Sequence, residues 1–266
     1  MAFLKGLFEK KQCSICGGDI GLLGNRKLED GNCCKTCAAK LSPWFSDRRS
    51  STVEEIKAQI DMREQNKELV KAFNTTRTMG RSTKVYVDEN AGKFMVTSAS
   101  KIDDANPDVL SLSQVTGCDV DIDESKSEEK RKDNEGKLVS YVPPKYKYSY
   151  NFYIILHVNH PYFNEMRFRI NPSSVSTGFA PAVPSIGTVR RTQMTIARAG
   201  LNTEYQEYEK MAAEICEFFT STRSEARAQA QAAAAPKIKV TCPLCGATTF
   251  PDANGCCEYC GGVINA

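Results

Sequence analysis

Residues 13–37 read CSICGGDIGLLGNRKLEDGNCCKTC, and residues 242–262 read CPLCGATTFPDANGCCEYCGG. Each stretch sets out a C-x-x-C pair, a short insert, and a doubled cysteine that opens a second C-x-x-C. Two such turns deliver four sulfurs from two tight loops, which is the donor set of a closed tetrahedral metal site. The sets are Cys13, Cys16, Cys34 and Cys37, and Cys242, Cys245, Cys257 and Cys260. Gly17, Gly246 and Gly261 follow three of the four turns, where positive φ lets backbone N–H groups point at sulfur. Pro243 stiffens the first turn of the second set. Four thiolates suit zinc best, so the expectation is two Zn2+ ions per chain, one in each of two small zinc ribbons.

The chain has 12 cysteines, so four lie outside these sets. Cys33 and Cys256 could replace Cys34 and Cys257 only by widening C-x-x-C to C-x-x-x-C. The second cysteine of each pair is therefore assigned as the ligand. The spare thiol is read as a small buried residue, with a redox trigger beside the metal as the alternative. Cys118 and Cys216 have no partner in sequence and are read as core residues. A disulfide framework is not expected, because thiols in a cytoplasmic chain stay reduced.

Bulk composition places the rest. The chain has 266 residues, 41% hydrophobic and 25% charged, which suits a globular protein with room for one medium domain and small modules. The apolar run FYIILHV at 152–158 is far short of the ~20 residues of a membrane-spanning helix. MAFLKGLFEKKQ at 1–12 lacks a signal-peptide apolar region and a cleavage site, so the chain is expected in the cytoplasm. The formal charge of +3 falls by about four once eight thiolates face two divalent ions. A nearly neutral molecule is a poor grip for a phosphate backbone.

Along the chain, Thr52 and Glu55 form a capping-box pattern before a helix. Its apolar stripe is broken: Val53, Ile56 and Ile60, then Leu69, Val70 and Phe73. TKVYVDENAGKFMVTS predicts two strands around a turn at 90–92, and VLSLSQVTGCDVDIDE a second pair around Gly117. SKSEEKRKDNEG, residues 125–136, reads as a solvated loop. The strongest strand is 146–158: Tyr146, Tyr148, Tyr150, Phe152, Ile154, Leu156 and Val158 alternate onto one face. Tyr153 and Ile155 make its second face apolar too, so the strand is expected to enter a core. EMRFRI follows as its partner, and 171–188, rich in Pro, Gly and Ser, reads as a long loop. Thr203 and Gln206 predict the cap of a helix lined by Tyr205, Tyr208, Met211, Ile215, Phe218 and Phe219. The Ala-rich run after residue 222 has no apolar face and reads as a spacer.

The fold class expected is thus α+β and multidomain. It has an N-terminal zinc ribbon (1–45), a helical connector (46–74), a mainly antiparallel β-rich domain closed by a C-terminal helix (75–222), an Ala-rich helical linker (223–237) and a C-terminal ribbon (238–266). The middle domain is large enough to be expected to fold without metal.

The whole pattern CSICGGDIGLLGNRKLEDGNCCKTCAAKLS resembles a bacterial family of N-terminal zinc-ribbon domains of unknown function, over residues 12–60. That resemblance implies the fold and the ligands Cys13, Cys16, Cys34 and Cys37, and no activity. The C-terminal stretch resembles a generic double-knuckle zinc ribbon. The middle is similar, in element order, to bacterial pleckstrin-homology-like (PH-like) domains.

Catalytic signatures are scarce. His157 and His160, three apart on a strand, point to opposite faces and do not share a metal. Asp119, Asp121 and Asp123 read as a solvated strand face, since calcium loops need a turn and a glycine. There is no GxSxG and no HExxH. Four-ligand ribbons leave no open position for a reacting water. The sequence thus points to a non-enzymatic, zinc-binding adaptor whose central domain holds a protein or lipid headgroup. A nucleic-acid-binding protein and a thiol or zinc redox sensor are the alternatives.

Overall fold

A computed structural model describes residues 11–181, 202–234, 239–250 and 255–264. The reading of residues 1–10, the 182–188 part of the expected loop and the 235–237 end of the spacer lie outside them. The chain divides into two compact units, Met1–Arg223 and Ser224–Ala266.

Short, Gly-punctuated segments open the first unit. β1 (Lys11–Gln12) pairs with β2 (Asp19–Ile20), and β3 (Arg26–Lys27) with β4 (Asn32–Cys33), before the single helical turn α1 (Lys35–Ala38). Four pairs of residues bury little by themselves, and α2 (Val53–Lys71) supplies the missing apolar surface. Ile56 and Ile60 join Cys13, Ile20, Leu28, Cys33, Cys37 and Leu41 in one small core. The capping box forms as its pattern predicts: Thr52 Oγ1 accepts from the Glu55 N–H at 3.2 Å, and Glu55 Oε2 from the Thr52 N–H at 2.8 Å. Asp30 Oδ1 accepts from the Val53 N–H at 2.8 Å and ties the helix start to the cysteine module.

The gap in the α2 stripe is filled by buried polar residues, Gln59, Arg63 and Asn66. Arg63 Nη1 donates to Asp108 Oδ1 at 2.7 Å, with side chains only 8% and 4% exposed. Ser42 Oγ donates to the other carboxylate oxygen at 2.7 Å. Asn66 Nδ2 donates to Asn106 Oδ1 and to the Pro107 carbonyl, while Asn66 Oδ1 accepts from the Val109 N–H. Asn106 Nδ2 returns a bond to the Arg63 carbonyl from a left-handed backbone (φ 46°), which Asn tolerates better than most residues. Arg63, Asp108, Asn66 and Asn106 all have partners, which is the condition for burying them at all.

That network joins α2 to the central strands. β5 (Arg77–Gly80), β6 (Lys84–Asp88), β7 (Lys93–Thr97) and β8 (Val109–Ser111) form an antiparallel sheet in chain order, with α3 (Ile102–Ala105) in the last connection. The strand pair expected around Gly117 does not form. A 3-10 turn at Leu112–Gln114, capped by Ser111, ends β8, and β9 (Val115–Lys132) then runs straight through Gly117.

β10 (Leu138–Val158) organises the second antiparallel sheet. β9 lines one edge along its length. β11 (Glu165–Arg169) and β12 (Val175–Pro181) share the other, opposite Tyr153–His157 and Lys145–Tyr150 respectively. Two sequence expectations are corrected here. Most of the charged stretch 125–136 is strand, with the reversal confined to 133–137, and β12 occupies part of the expected loop. The charges are accommodated because this end of the hairpin is exposed on both faces, with Lys126 Nζ 3.7 Å from the Tyr146 ring centroid.

Tyr150, Phe152, Ile154, Leu156 and Val158 are buried, as their alternation predicts. The opposite face is only half-buried, contrary to expectation. The Arg167 guanidinium lies 3.6 Å from the Tyr153 ring centroid and donates to Asp121 Oδ2, so this face is finished by charge rather than by a second core. α4 (Thr203–Ala234) starts one residue earlier than its pattern predicts, because Asn202 Oδ1, not Thr203, accepts from the Tyr205 N–H. Tyr205, Tyr208, Ala212, Ile215 and Phe219 enter the core shared by both sheets. Tyr205 meets Tyr150 and Phe152 edge-on at 4.9 and 5.0 Å. Cys118 and Cys216 form a disulfide between β9 and α4, where free core thiols were expected. In the second unit, β13 (Val240–Thr241) pairs with β14 (Thr248–Thr249).

Removing Arg63 leaves Asp108 charged and buried without its main partner. Arg63→Ala is expected to cost about 3 kcal/mol in urea unfolding. A cost below about 0.5 kcal/mol, the range of an ordinary surface change, would remove the network from the account of stability.

Candidate metal centres

In the N-terminal module the first C-x-x-C sits on the β1–β2 hairpin. The Gly17 N–H donates to the Cys13 carbonyl at 2.8 Å, the Cys13 N–H donates to the Gly18 carbonyl at 2.9 Å, and Gly17 takes φ +73°. The second C-x-x-C is built differently. Cys34 is the N-cap of α1, and its Sγ accepts from the Cys37 N–H at 3.4 Å. A helical turn replaces the glycine-closed knuckle, which explains why this is the one C-x-x-C not followed by glycine. The Cys34 N–H also donates to Cys13 Sγ at 3.3 Å, linking the two halves.

The C-terminal module uses two matching knuckles. Gly246 and Gly261 donate to the Cys242 and Cys257 carbonyls at 2.9 and 2.8 Å, with φ near +72° and +71°. The Cys242 and Cys257 N–H groups donate to the Ala247 and Gly262 carbonyls, both at 2.9 Å.

Within each set, Cys13, Cys16, Cys34 and Cys37 or Cys242, Cys245, Cys257 and Cys260, all four sulfurs lie within 4.8 Å of one another. Individual separations are 3.9 Å for Cys16–Cys34, 3.6 Å for Cys242–Cys260 and 3.7 Å for Cys245–Cys257. A zinc–sulfur bond of about 2.3 Å makes the edge of a tetrahedron about 3.8 Å. The sulfurs are thus spaced to share a tetrahedral ion. The donor set suits zinc and other thiophilic metals, and with four protein ligands it leaves no position for substrate.

Backbone polarity prepares the sites for a cation. Burial raises the Cys13 thiol, but N–H groups of Cys16, Cys34 and Ile15 together outweigh it and bring the thiol down to about 6. The Cys245 and Leu244 N–H groups hold Cys242 down to about 6 as well, against burial. Cys37 moves the other way, raised by burial and by the neighbouring thiols. Four sulfurs this close cannot all ionise alone, and a divalent cation removes that conflict.

Cys33 and Cys256 stand outside both sets of four. Cys33 is fully buried, its Sγ donates to the Cys34 carbonyl at 3.4 Å, and burial together with the Cys13 and Cys34 charges pushes its thiol up to about 11. Such a thiol is a packing residue with little thiolate to react. Cys256 bridges Val263 through its backbone.

The other titratable candidates do not assemble a site. His157 Nε2 lies 2.9 Å from Asp119 Oδ2, while His160 lies past the end of β10, stacked on Phe163 at 4.0 Å. Asp121 is held by Arg167. Asp119 and Asp121 are therefore engaged by His157 and Arg167 along the strand face. The pairing of Cys118 with Cys216 left no trace in sequence, since 98 residues separate them and no motif marks either.

Cys34→Ser and Cys257→Ser are each expected to lose one metal ion by elemental analysis, while Cys33→Ser and Cys256→Ser keep both. The reverse pattern would put the wider C-x-x-x-C turn in use. Among the described residues the apolar core of the C-terminal module is small: Cys242, Cys257 and Ile264, with Val240 against them. Chelation is therefore expected to abolish amide protection over 239–264 and to leave β10 protected. Unchanged protection in 239–264 would show that the module folds without metal.

Among described residues, no helix is long and apolar enough to cross a membrane. Residues 11–59 match the family model of a domain of unknown function, DUF4428. The matched segment holds the complete N-terminal sulfur set and the part of α2 that carries Ile56. No curated protein and no solved structure matches the chain.

Proposed function

We propose that the protein is a non-enzymatic zinc-binding adaptor. Two structural zinc ions, one per four-cysteine set, hold small modules that precede and follow a central PH-like domain in the sequence, and that domain engages a protein or lipid headgroup. The observation that carries the zinc assignment is the tetrahedral-edge spacing of sulfurs in both sets. Closure by four thiolates supports a structural role for the metal over a catalytic one. The PH-like reading is supported by the antiparallel strand order and by the α4 residues that share the core of both sheets.

Nucleic-acid binding is the weaker reading. The net charge of +3 is offset by the metal-bound thiolates, and the C-terminal module has Lys237 and Lys239 against Asp252 and Glu258. Phe250 and Tyr259 are too few for a base-stacking platform. A sensor built on Cys33 is disfavoured by its burial and its raised thiol.

Purified protein is expected to hold two zinc ions per chain, and to show no measurable binding to mixed DNA or RNA at about 0.15 M salt. One ion or none, or iron in place of zinc, would overturn the metal assignment. Tight binding with a steep salt dependence would turn the adaptor into a nucleic-acid-binding protein.

A further inference from the structure

β9 pairs with β10 along one side and, among the described residues, with no strand on the other. In an antiparallel ladder every second residue turns its N–H and C=O away from the partner strand. The outer side of β9 is therefore a row of open donors and acceptors. Nothing in the strand interrupts that row. Residues 118–132 contain neither Pro nor Gly. The bulge in the ribbon falls on β10, between Ser140 and Lys145, whose partners Lys130 and Glu129 are consecutive on β9. Charge is what guards this edge, so the charge pattern decides what can pair with it.

The pattern alternates in sign. Glu124, Lys126, Glu128 and Lys130 share one face of the strand, and Asp123, Ser125, Ser127, Glu129 and Arg131 the other. Most of these side chains are exposed, with Glu124 and Lys130 half-buried. Their contacts inside the chain leave the charges standing. Glu124 Oε2 accepts from the Tyr150 hydroxyl at 3.0 Å, and Lys126 Nζ lies over the Tyr146 ring, and neither partner is an ion. The ion pairs of β9, at Asp119 and Asp121, lie nearer the core end. Among the described residues, Asp123, Lys126, Glu128, Lys130 and Arg131 have no ion-pair partner within the chain.

Two copies of β9 placed antiparallel about a two-fold axis at Ser127 are complementary throughout. Asp123 then faces Arg131 of the second copy, Glu124 faces Lys130, and Lys126 faces Glu128, each twice by symmetry. No like charges meet anywhere in 123–131. Neighbouring registers fail. An axis at Lys126 sets that lysine against itself and Glu124 against Glu128, and an axis at Glu128 sets that glutamate against itself and Lys126 against Lys130. Directly opposed residues attract or repel according to sign, so one register is selected. We infer that the outer edge of β9 over 123–131 is a dimerisation edge, pairing antiparallel with the same edge of a second copy of this chain. The contact is isologous and closes at two chains. Backbone hydrogen bonds supply attraction, and charge supplies register and partner choice. This self-association stands apart from whatever the central domain engages.

Sedimentation equilibrium of the full, zinc-loaded chain tests it. The parent is expected to form a reversible dimer at roughly 100 µM protein, weakening as salt rises because exposed ion pairs are screened. K126E and E128K each set two like-charged pairs across the contact, and each is expected to weaken the dimer at least about tenfold. An equimolar mixture of the two variants is expected to recover parental affinity, because every altered residue then meets an opposite charge. The K126E/E128K double variant recovers for the same reason. Recovery in the mixture also shows that neither variant is misfolded. A parent that stays monomeric at that concentration would overturn the inference and leave the edge to a different partner. A dimer indifferent to both single variants, or a mixture that fails to recover, would overturn it equally.

Discussion

Four sulfurs held within 4.8 Å of one another form a constellation that only a cation satisfies. Every local feature of the N-terminal module serves that placement. The Gly17 turn, the helical cap at Cys34 and the Cys34 N–H on Cys13 Sγ position the donors. Ile20, Leu28, Ile56 and Ile60 enclose them on the inner side. The C-terminal module meets the same demand by a repeated knuckle and with far less apolar support. The two sites are alike in donors and unlike in how much of their fold the metal must carry.

The N-terminal site is coupled to the rest of its unit through α2. One end of that helix packs on the sulfur module, and its middle presents Arg63 and Asn66 to Asp108, Asn106, Pro107 and Val109. A buried ion pair is weak evidence of net stability, but it is highly position-specific, since a displaced Arg63 leaves Asp108 uncompensated. This fixes where α2 sits against the 106–109 segment that leads into β8. It also means that a fragment 75–222 cut from the chain carries Asp108 and Asn106 without Arg63 and Asn66.

How much was legible in sequence follows from how local each signal is. The C-x-x-C turns, the Thr52–Glu55 capping box and the alternation along 150–158 are all set by neighbours within a few residues, and each is found in the structure. The broken stripe of α2 was visible only as an absence, because Arg63 and Asn66 are polar and the side chains that partner them, Asp108 and Asn106, lie 45 and 40 residues away. The 125–132 strand was hidden for another reason. The end of a sheet that extends beyond the core exposes both faces, so this strand has no apolar alternation to read. The Cys118–Cys216 pair required the complete β9–α4 packing, which no spacing rule supplies.

The central claim is that each module closes four thiolates around one zinc ion. X-ray absorption at the zinc edge of the full chain tests it most directly. The account predicts a first shell of four sulfurs at about 2.3 Å with no nitrogen or oxygen neighbour. A mixed shell of sulfur with nitrogen or oxygen would contradict it, because one site would then be open and its metal available for chemistry.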